Sequence, residues 1–589
     1  MRSHVLAVVA VTLVVPVLLA PAAGAQGDPP VGPPAGPSVD LGAYAGPVRF
    51  EAPAGTTFAV AGRGRYVDTL AGVLAGDGDL VLVNELPMDA YVEGIAEMPA
   101  RWPHEALKSQ AVAARTYAWF ELEQGRWRSR GYDICATTSC QVFDGRDVVE
   151  LPVLGARWAR AVAETRGEVL TSGGRPILAR YFSTSGGSTR NNETVFPSEG
   201  PRPYLKAVDD PWDEISPLHQ WEVRFPRGGF DAILARGQTL RAGTPVASIE
   251  LIPASVTGRT DRIRVSSTDG QVAEVSASAL RAFVSDVAPE LFPGRYPSHR
   301  ADGRSLPTTL PSSRFAFEIT ADEVVVHGRG WGHGVGMSQF GAYGRAEDGQ
   351  TYREILAAYY NGLEPAAPPD LPDRIRVGLD ATDDASFAVT ADGPFRVVAG
   401  GAEVTARALG TWRLTRRPDR TIGLVAPPGY GAPLVVAATS TSRSAPTEVE
   451  QVTLETVVNK PVELALVVTD GAGAQVLRRQ VGIVEAGRHA TSWSLDDADG
   501  DPVVPGRYQA GLVAVDEEAA EAGTPVPLEI RGLTVPDDLP SLLGPAPAPS
   551  GPVAVGPLAA SGLVGVGLGA VVGTVVPLPG RRRRAERGA

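Results

Sequence analysis

Between Pro103 and Gln124 small and apolar residues return every three or four positions, at Leu107, Ala111, Ala114 and Ala118, and this spacing predicts a helix. Pro103 suits its first position, Glu105 complements the positive end of the helix dipole, and Gly125 is a natural stop. A stripe of small side chains lets a neighbour pack closely. Gln110 and Arg115 lie one turn from that stripe, so they must be exposed or paired. Upstream, Leu86 to Pro99 predicts a short helix capped by Asp89 and stopped by Pro99, with Glu97 in its last turn. Strand-like alternation at Thr57–Val60 and Leu80–Val83 precedes these helices, and mixed strands and helices follow them. From Val452 to Ile530 strands alternate with turn dipeptides. The fold class expected is therefore α+β, mixed strands with one long small-residue helix, followed by β domains that include an immunoglobulin-like sandwich.

The same patterning sets boundaries. Met1-Arg2, an apolar run from Val5 to Leu19 and then Ala23-Gly24-Ala25 follow the order of a secretory signal, predicted over residues 1–25. An uncleaved N-terminal anchor is the alternative. At the far end, Leu558–Leu578 is uncharged and long enough to span a bilayer, and Arg581 to Arg584 follow. That reads as a transmembrane helix over 558–578 with a basic cytoplasmic tail over 579–589, which would hold a secreted protein on the membrane facing the cell wall. A removable sorting signal is the other reading of this stretch. Pro/Gly-rich seams at 26–37, 365–372 and 533–557 divide the rest into blocks of 38–364, 373–440 and 446–532.

Composition narrows the function. Glycine (67) and proline (51) make up about a fifth of 589 residues, below the level of a low-complexity polymer. A net charge of -13 argues against nucleic acid as a partner, and two cysteines are too few for a disulfide scaffold. The candidate chemistry starts at Glu97, where a helix C-terminus and burial beside Met98 and Trp102 would raise the carboxyl pKa toward that of a general acid. Tyr181, Ser183, Ser185, Gly186, Gly187 and Thr189 alternate into a glycine turn, a polar face suited to sugar hydroxyls and acetamides. The run from His327 through His333 to Gln339 is so rich in glycine that its backbone must approach something closely. Its histidines read as groove-lining donors or as metal ligands. Cys135 and Cys140 read as a local disulfide.

Four segments in this order carry a family resemblance: EMPARWPHEALKSQAVAARTYA from Glu97, DICATTSCQVFDG from Asp133, ARYFSTSGGSTRNNETVF from Ala179 and HGRGWGHGVGMSQFGAYGRAEDGQTYREILAAYYNG from His327. Together they resemble the SpoIID/LytB family, the stage II sporulation protein D domain. The resemblance implies a lytic transglycosylase that cuts peptidoglycan glycan strands with Glu97 as its one acid and base, or a wall-binding protein that enhances an amidase. It also implies that Arg115, Gln141, Tyr181, Ser183, Ser185, Gly186, Gly187, Thr189, His327, His333 and Gln339 line the substrate groove. No cofactor is expected, although the family's zinc-binding members make Cys135 and Cys140, with His104, the candidate ligands. Residues 446–532 resemble the immunoglobulin-like domain of FlgD type, through TSWSLDDADGDPVVPGRYQAGLVA.

Overall fold

The computed structural model describes residues 37–530, except 238, 240–242, 254–260, 301, 380–385, 435, 441–451 and 524–525. The expected signal segment, the seam at 533–557, the span at 558–578 and the basic tail lie outside the described residues. Among those described, no helix is long and apolar enough to cross a membrane. The localisation expected from the C-terminal run, a secreted protein held on the membrane by a transmembrane helix, is corrected on that finding.

The architecture is α+β, and its first core joins segments far apart in sequence. One seven-stranded sheet runs in the order 402–408, 395–399, 48–51, 69–74, 80–87, 374–378, 134–135. A six-stranded sheet holds 39–44, 422–426, 412–416, 386–391, 57–60 and 64–67. Alternating residues from both sheets meet in a shared interior, where Phe395 contacts Phe50 and Phe58 at ring-centroid distances of 5.8 Å and 5.3 Å, and Trp412 at 6.3 Å. The strands between 374 and 426 thus complete the sheets begun by residues 39–87 and share their core; the block 373–440 is not separate from the first block.

Against this core packs a helical layer: α1 (Met88–Glu93), α2 (His104–Gln124), α3 (Leu154–Glu164) and the helices Gln339–Glu347 and Tyr352–Tyr359. α2 starts behind Pro103 and ends at Gly125, whose φ of 61° only glycine takes cheaply. Fifteen of its 21 residues are buried, so it is surrounded rather than amphipathic. Its small residues let α3 and the two late helices approach together.

Two further cores complete the described chain. Residues 218–326 enclose their own, where Trp221, Phe225 and Phe230 pack beneath the sheet of Gln220–Pro226, Glu323–Arg329 and Phe315–Ile319, with helices Arg227–Arg236 and Ala277–Leu291. Residues 436–530 form two antiparallel sheets around Trp493 and Tyr508, whose rings stand 6.0 Å apart. In this sandwich the Tyr508 hydroxyl donates to the Val504 carbonyl at 2.7 Å, tying a strand to the loop before it. Arg407 of the first core reaches across to Glu463 and to the Asp516 carbonyl.

Candidate functional site

Glu97 lies in a loop, because α1 ends at Glu93 with Gly94 at its C-cap. A Cβ at Gly94 would stand 2.3 Å from the Phe143 ring, so the chain closes against that segment. Ile95 bridges to Phe143, Ala96 N–H donates to the Val142 carbonyl at 3.0 Å, and Val142 N–H donates to Glu97 Oε1 at 2.6 Å. The helix dipole expected to act on Glu97 is therefore four residues away. Burial takes its place: desolvation pushes the carboxyl up, the Val142 N–H opposes it, and Asp144 adds a like charge, leaving the pKa above the usual carboxylate value.

The segment that holds Glu97 also carries Gln141, which is fully buried. Tyr91 donates to Gln141 Oε1 at 2.7 Å, and Gln141 Nε2 donates to the Tyr181 hydroxyl at 2.8 Å. Tyr181 accepts from Gln141 and so keeps its own proton for another acceptor. Burial, with Glu97 next for Tyr181, holds both phenols protonated. From the other side Gln339 Nε2 donates to the Glu97 carbonyl at 2.8 Å and to Gln110 Oε1 at 3.3 Å. The short strands Tyr181–Phe182 and Met337–Ser338 pair in parallel, and Phe340 N–H donates to the Ser183 carbonyl, which sets half-buried Ser183 beside this group. Glu97, Gln141, Tyr181, Ser183 and Gln339 thus converge.

Two neighbouring carboxylates differ from Glu97. Glu105 is held by Lys108 at 2.7 Å and by Tyr352 N–H at 2.8 Å, and Glu93 faces Arg146 at 3.9 Å. Among the described residues Glu97 has no cationic partner. It is a half-buried carboxyl that accepts the Val142 N–H, able to hold a proton and to give it up without a fixed counter-charge.

The other candidates fall elsewhere. Arg115 has no exposed surface: it bonds Asp89 at 3.0 Å and 2.8 Å and the Glu168 carbonyl at 3.1 Å, locking α2 to α1 and to the chain beyond α3. It offers nothing for a substrate to touch. The turn at Ser185, Gly186 and Gly187 is also committed. Buried Asp213 accepts Gly186 N–H at 2.7 Å and Gly187 N–H at 3.0 Å, and Ser185 is itself buried. Thr189 accepts from Val208 N–H at 2.9 Å. His333 sits between the rings of Phe182 and Phe196, its pKa pushed down to about 3 by burial and then by Arg180, so it is a neutral packing residue. His327 is exposed on the sheet of the second core, 3.3 Å from both Glu222 and Glu318.

Glycines in the run from His327 to Gln339 do make close approaches. A Cβ at Gly336 would stand 2.0 Å from the Arg180 carbonyl, at Gly330 2.6 Å from the Thr184 carbonyl, and at Gly328 2.0 Å from the Trp221 ring. What Gly330 and Gly336 approach is the polar segment 180–185, and what Gly328 approaches is the second core. Cys135 and Cys140 are joined as a disulfide, which removes the thiolates zinc would need, and His104 is engaged by Glu164 at 2.8 Å. The zinc alternative does not fit these residues, and among the described residues no cluster of three metal-binding side chains occurs. Tyr91, Val142 and Asp213 carried no signal in the sequence; their roles follow from contacts across 26 to 50 residues.

Residues 76–172 match the family model "Stage II sporulation protein". The stage II sporulation protein D of Bacillus subtilis is 31% identical over 297 residues, covering 48% of this chain and 75% of that protein. The amidase enhancer of B. subtilis is 30% identical over 305 residues, covering 45% of this chain but 38% of its own longer length. A solved structure of FLGD from P. aeruginosa is 20% identical and covers 16% of this chain and 70% of that one, at a TM-score of 0.12 that carries no argument about the fold. With the motif glutamines gathered around Glu97 and this identity across three quarters of a sporulation protein D, the chain belongs to the SpoIID/LytB family.

Proposed function

We propose that this protein acts on the bacterial cell wall as a peptidoglycan lytic transglycosylase, with Glu97 as its single acid and base. The observation that carries the reading is the half-buried, cation-free carboxyl whose pKa is raised by burial. A hydrolytic glycosidase needs two carboxylates, one for the leaving oxygen and one for water or nucleophile. A lytic transglycosylase needs one. Protonated Glu97 gives its proton to the oxygen between N-acetylmuramic acid and N-acetylglucosamine as that bond breaks. The carboxylate then takes the proton of the muramic acid's own 6-hydroxyl, whose oxygen closes on C1 as a 1,6-anhydro ring. Water is not consumed. Tyr181, Ser183 and Gln339 are the groups we assign to the flanking sugar, with Gln141 orienting Tyr181 from below.

Purified glycan strands digested with this protein should yield 1,6-anhydromuramic ends by mass spectrometry, and Glu97→Gln should abolish them. Ordinary reducing ends would mean that water is consumed, making the enzyme a hydrolase with a second carboxylate. The similarity to an amidase enhancer favours a second reading, a wall-binding protein that stimulates an amidase. In that case Glu97→Gln would leave stimulation of a purified amidase unchanged.

A further inference from the structure

A cleft of about 1090 Å³ opens on the unit of residues 218–326, and neither Glu97 nor the side chains gathered around it line this space. Its floor is the sheet that carries Trp221, Phe315 and His327, and Arg190 and Arg314 form one wall. Most of its charges are matched. Arg190 pairs with Asp261, Arg300 with Asp302, and His327 lies between Glu222 and Glu318.

Two guanidinium groups are left over. Arg314 places three of its five N–H groups on neutral acceptors, the carbonyls of Ser185 and Ser188 and the Ser188 hydroxyl, and meets no carboxylate among the described residues. Arg329 is exposed, and among the described residues no carboxylate pairs with it. Their backbones are paired, the Arg329 main-chain N–H donating to the Arg314 carbonyl at 3.0 Å, and both side chains line the cleft, where the charge of Arg329 acts on Arg314. Burial, followed by the charges of Arg329 and Arg190, drives the Arg314 pKa down to about 10. Adjacent like charges in a concave, partly dry site raise the free energy of the empty protein, and a carboxylate bound across both would offset this through forked hydrogen bonds. Arg314 has a structural reason to be there, pinning the Ser185–Ser188 turn; among the described residues the Arg329 guanidinium pins nothing.

The rest of the lining narrows the ligand. Leu251 presents 45% of its surface at the rim, next to Pro253, so the ligand has an apolar body. Glu222 and Asp261 face the same space with Arg224 and Arg190 as their partners, so the cleft lacks the run of unmatched cations that a chain of phosphates needs. We propose that this cleft binds a short peptide by its free carboxylate, clamped between Arg314 and Arg329, with Leu251 against its side chains.

The test titrates the full chain to millimolar concentrations with the tripeptide Ala-Lys-Ala as free acid and as C-terminal amide, read by NMR and calorimetry. The acid should bind at least tenfold more tightly than the amide. Arg329→Ala should weaken the acid by at least tenfold with an unchanged melting temperature, because this side chain is exposed. Equal binding of acid and amide, no binding of either, or indifference to Arg329→Ala would overturn the proposal. So would displacement by inorganic phosphate at equal concentration, which would make the cleft a general oxyanion site. Glu97→Gln should bind the acid as the wild type does, so failure here and failure of the glycan reading are separate results.

Discussion

Replacing Arg115 with alanine removes a guanidinium that bonds Asp89 twice and the Glu168 carbonyl once, with the Val162 carbonyl farther off at 3.5 Å. All of this happens with no exposed surface on the arginine. Breaking a buried pair costs about 3–5 kcal/mol, because the remaining charge is stranded. Asp89 is 29% exposed and keeps Arg166 at 3.5 Å, so water and that arginine relieve part of the penalty, while the two carbonyls lose a charged donor worth roughly 1–3 kcal/mol. A total near 4 kcal/mol follows, and at about 2–4 °C per kcal/mol for a domain of this size the melting temperature should fall by roughly 8–16 °C. Scanning calorimetry on Arg115→Ala measures it, with Arg115→Lys beside it. The lysine keeps a point charge without the planar fork, so it should lie between alanine and wild type. A melting temperature within about 2 °C of wild type, together with a raised KM for glycan, would refute this reasoning and return Arg115 to the substrate groove.

The pKa of Glu97 sets a pH signature. Burial raises it in the folded state, so its protonated form contributes stability that is full below its unfolded value and is lost as pH rises through the folded one. Glu97→Gln should therefore melt at or slightly above wild type at about pH 8, with the gap closing by about pH 4, while cleavage is lost at both. In the wild type the alkaline limb of the rate profile should lie above the usual carboxylate range. Cys140→Ser opens a small disulfide loop worth roughly 2 kcal/mol, and because Val142 two residues on donates to Glu97, activity should fall at temperatures where the circular dichroism spectrum is still native. Gly336→Ala places a Cβ 2.0 Å from a carbonyl at φ 80° and should cost at least about 2 kcal/mol by urea denaturation; a smaller loss would mean that this turn yields.

Local signals in the sequence were the readable ones. The helix at 103–124 was legible because proline, glycine and a run of good helix formers agree on its ends, and α2 spans His104–Gln124. Its surroundings were not, since a helix buried on nearly all sides has no polar face to mark which residues are paired; Arg115 and Gln110 show their partners only in three dimensions. The seam at 365–372 reads as a domain boundary by composition, yet two strands just after it, 374–378 and 395–399, pair with residues near 85 and 50 on the far side of it. The separate core of 218–326 left no composition break to betray it. Glu97 stands in a family motif and its burial raises the carboxyl as expected, but the helix end expected beside it is absent because Gly94 ends α1 a turn early.

The hairpin of strands 69–74 and 80–87, with 48–51 beside it, is flanked on one side by 395–399 and on the other by 374–378. As the chain leaves the ribosome, both borders of this three-stranded piece emerge without neighbours. Roughly 290 more residues must be made before either arrives, which at about 5–20 residues per second is a wait on the order of 15–60 s. During that interval the nascent chain carries two open rows of backbone donors and acceptors, the feature that recruits strands from other chains. Any product truncated between residues 100 and 370 inherits those open rows permanently, so fragments cut at the proline-rich seam should aggregate, and this first core must be expressed through residue 426 to be handled as a folded piece.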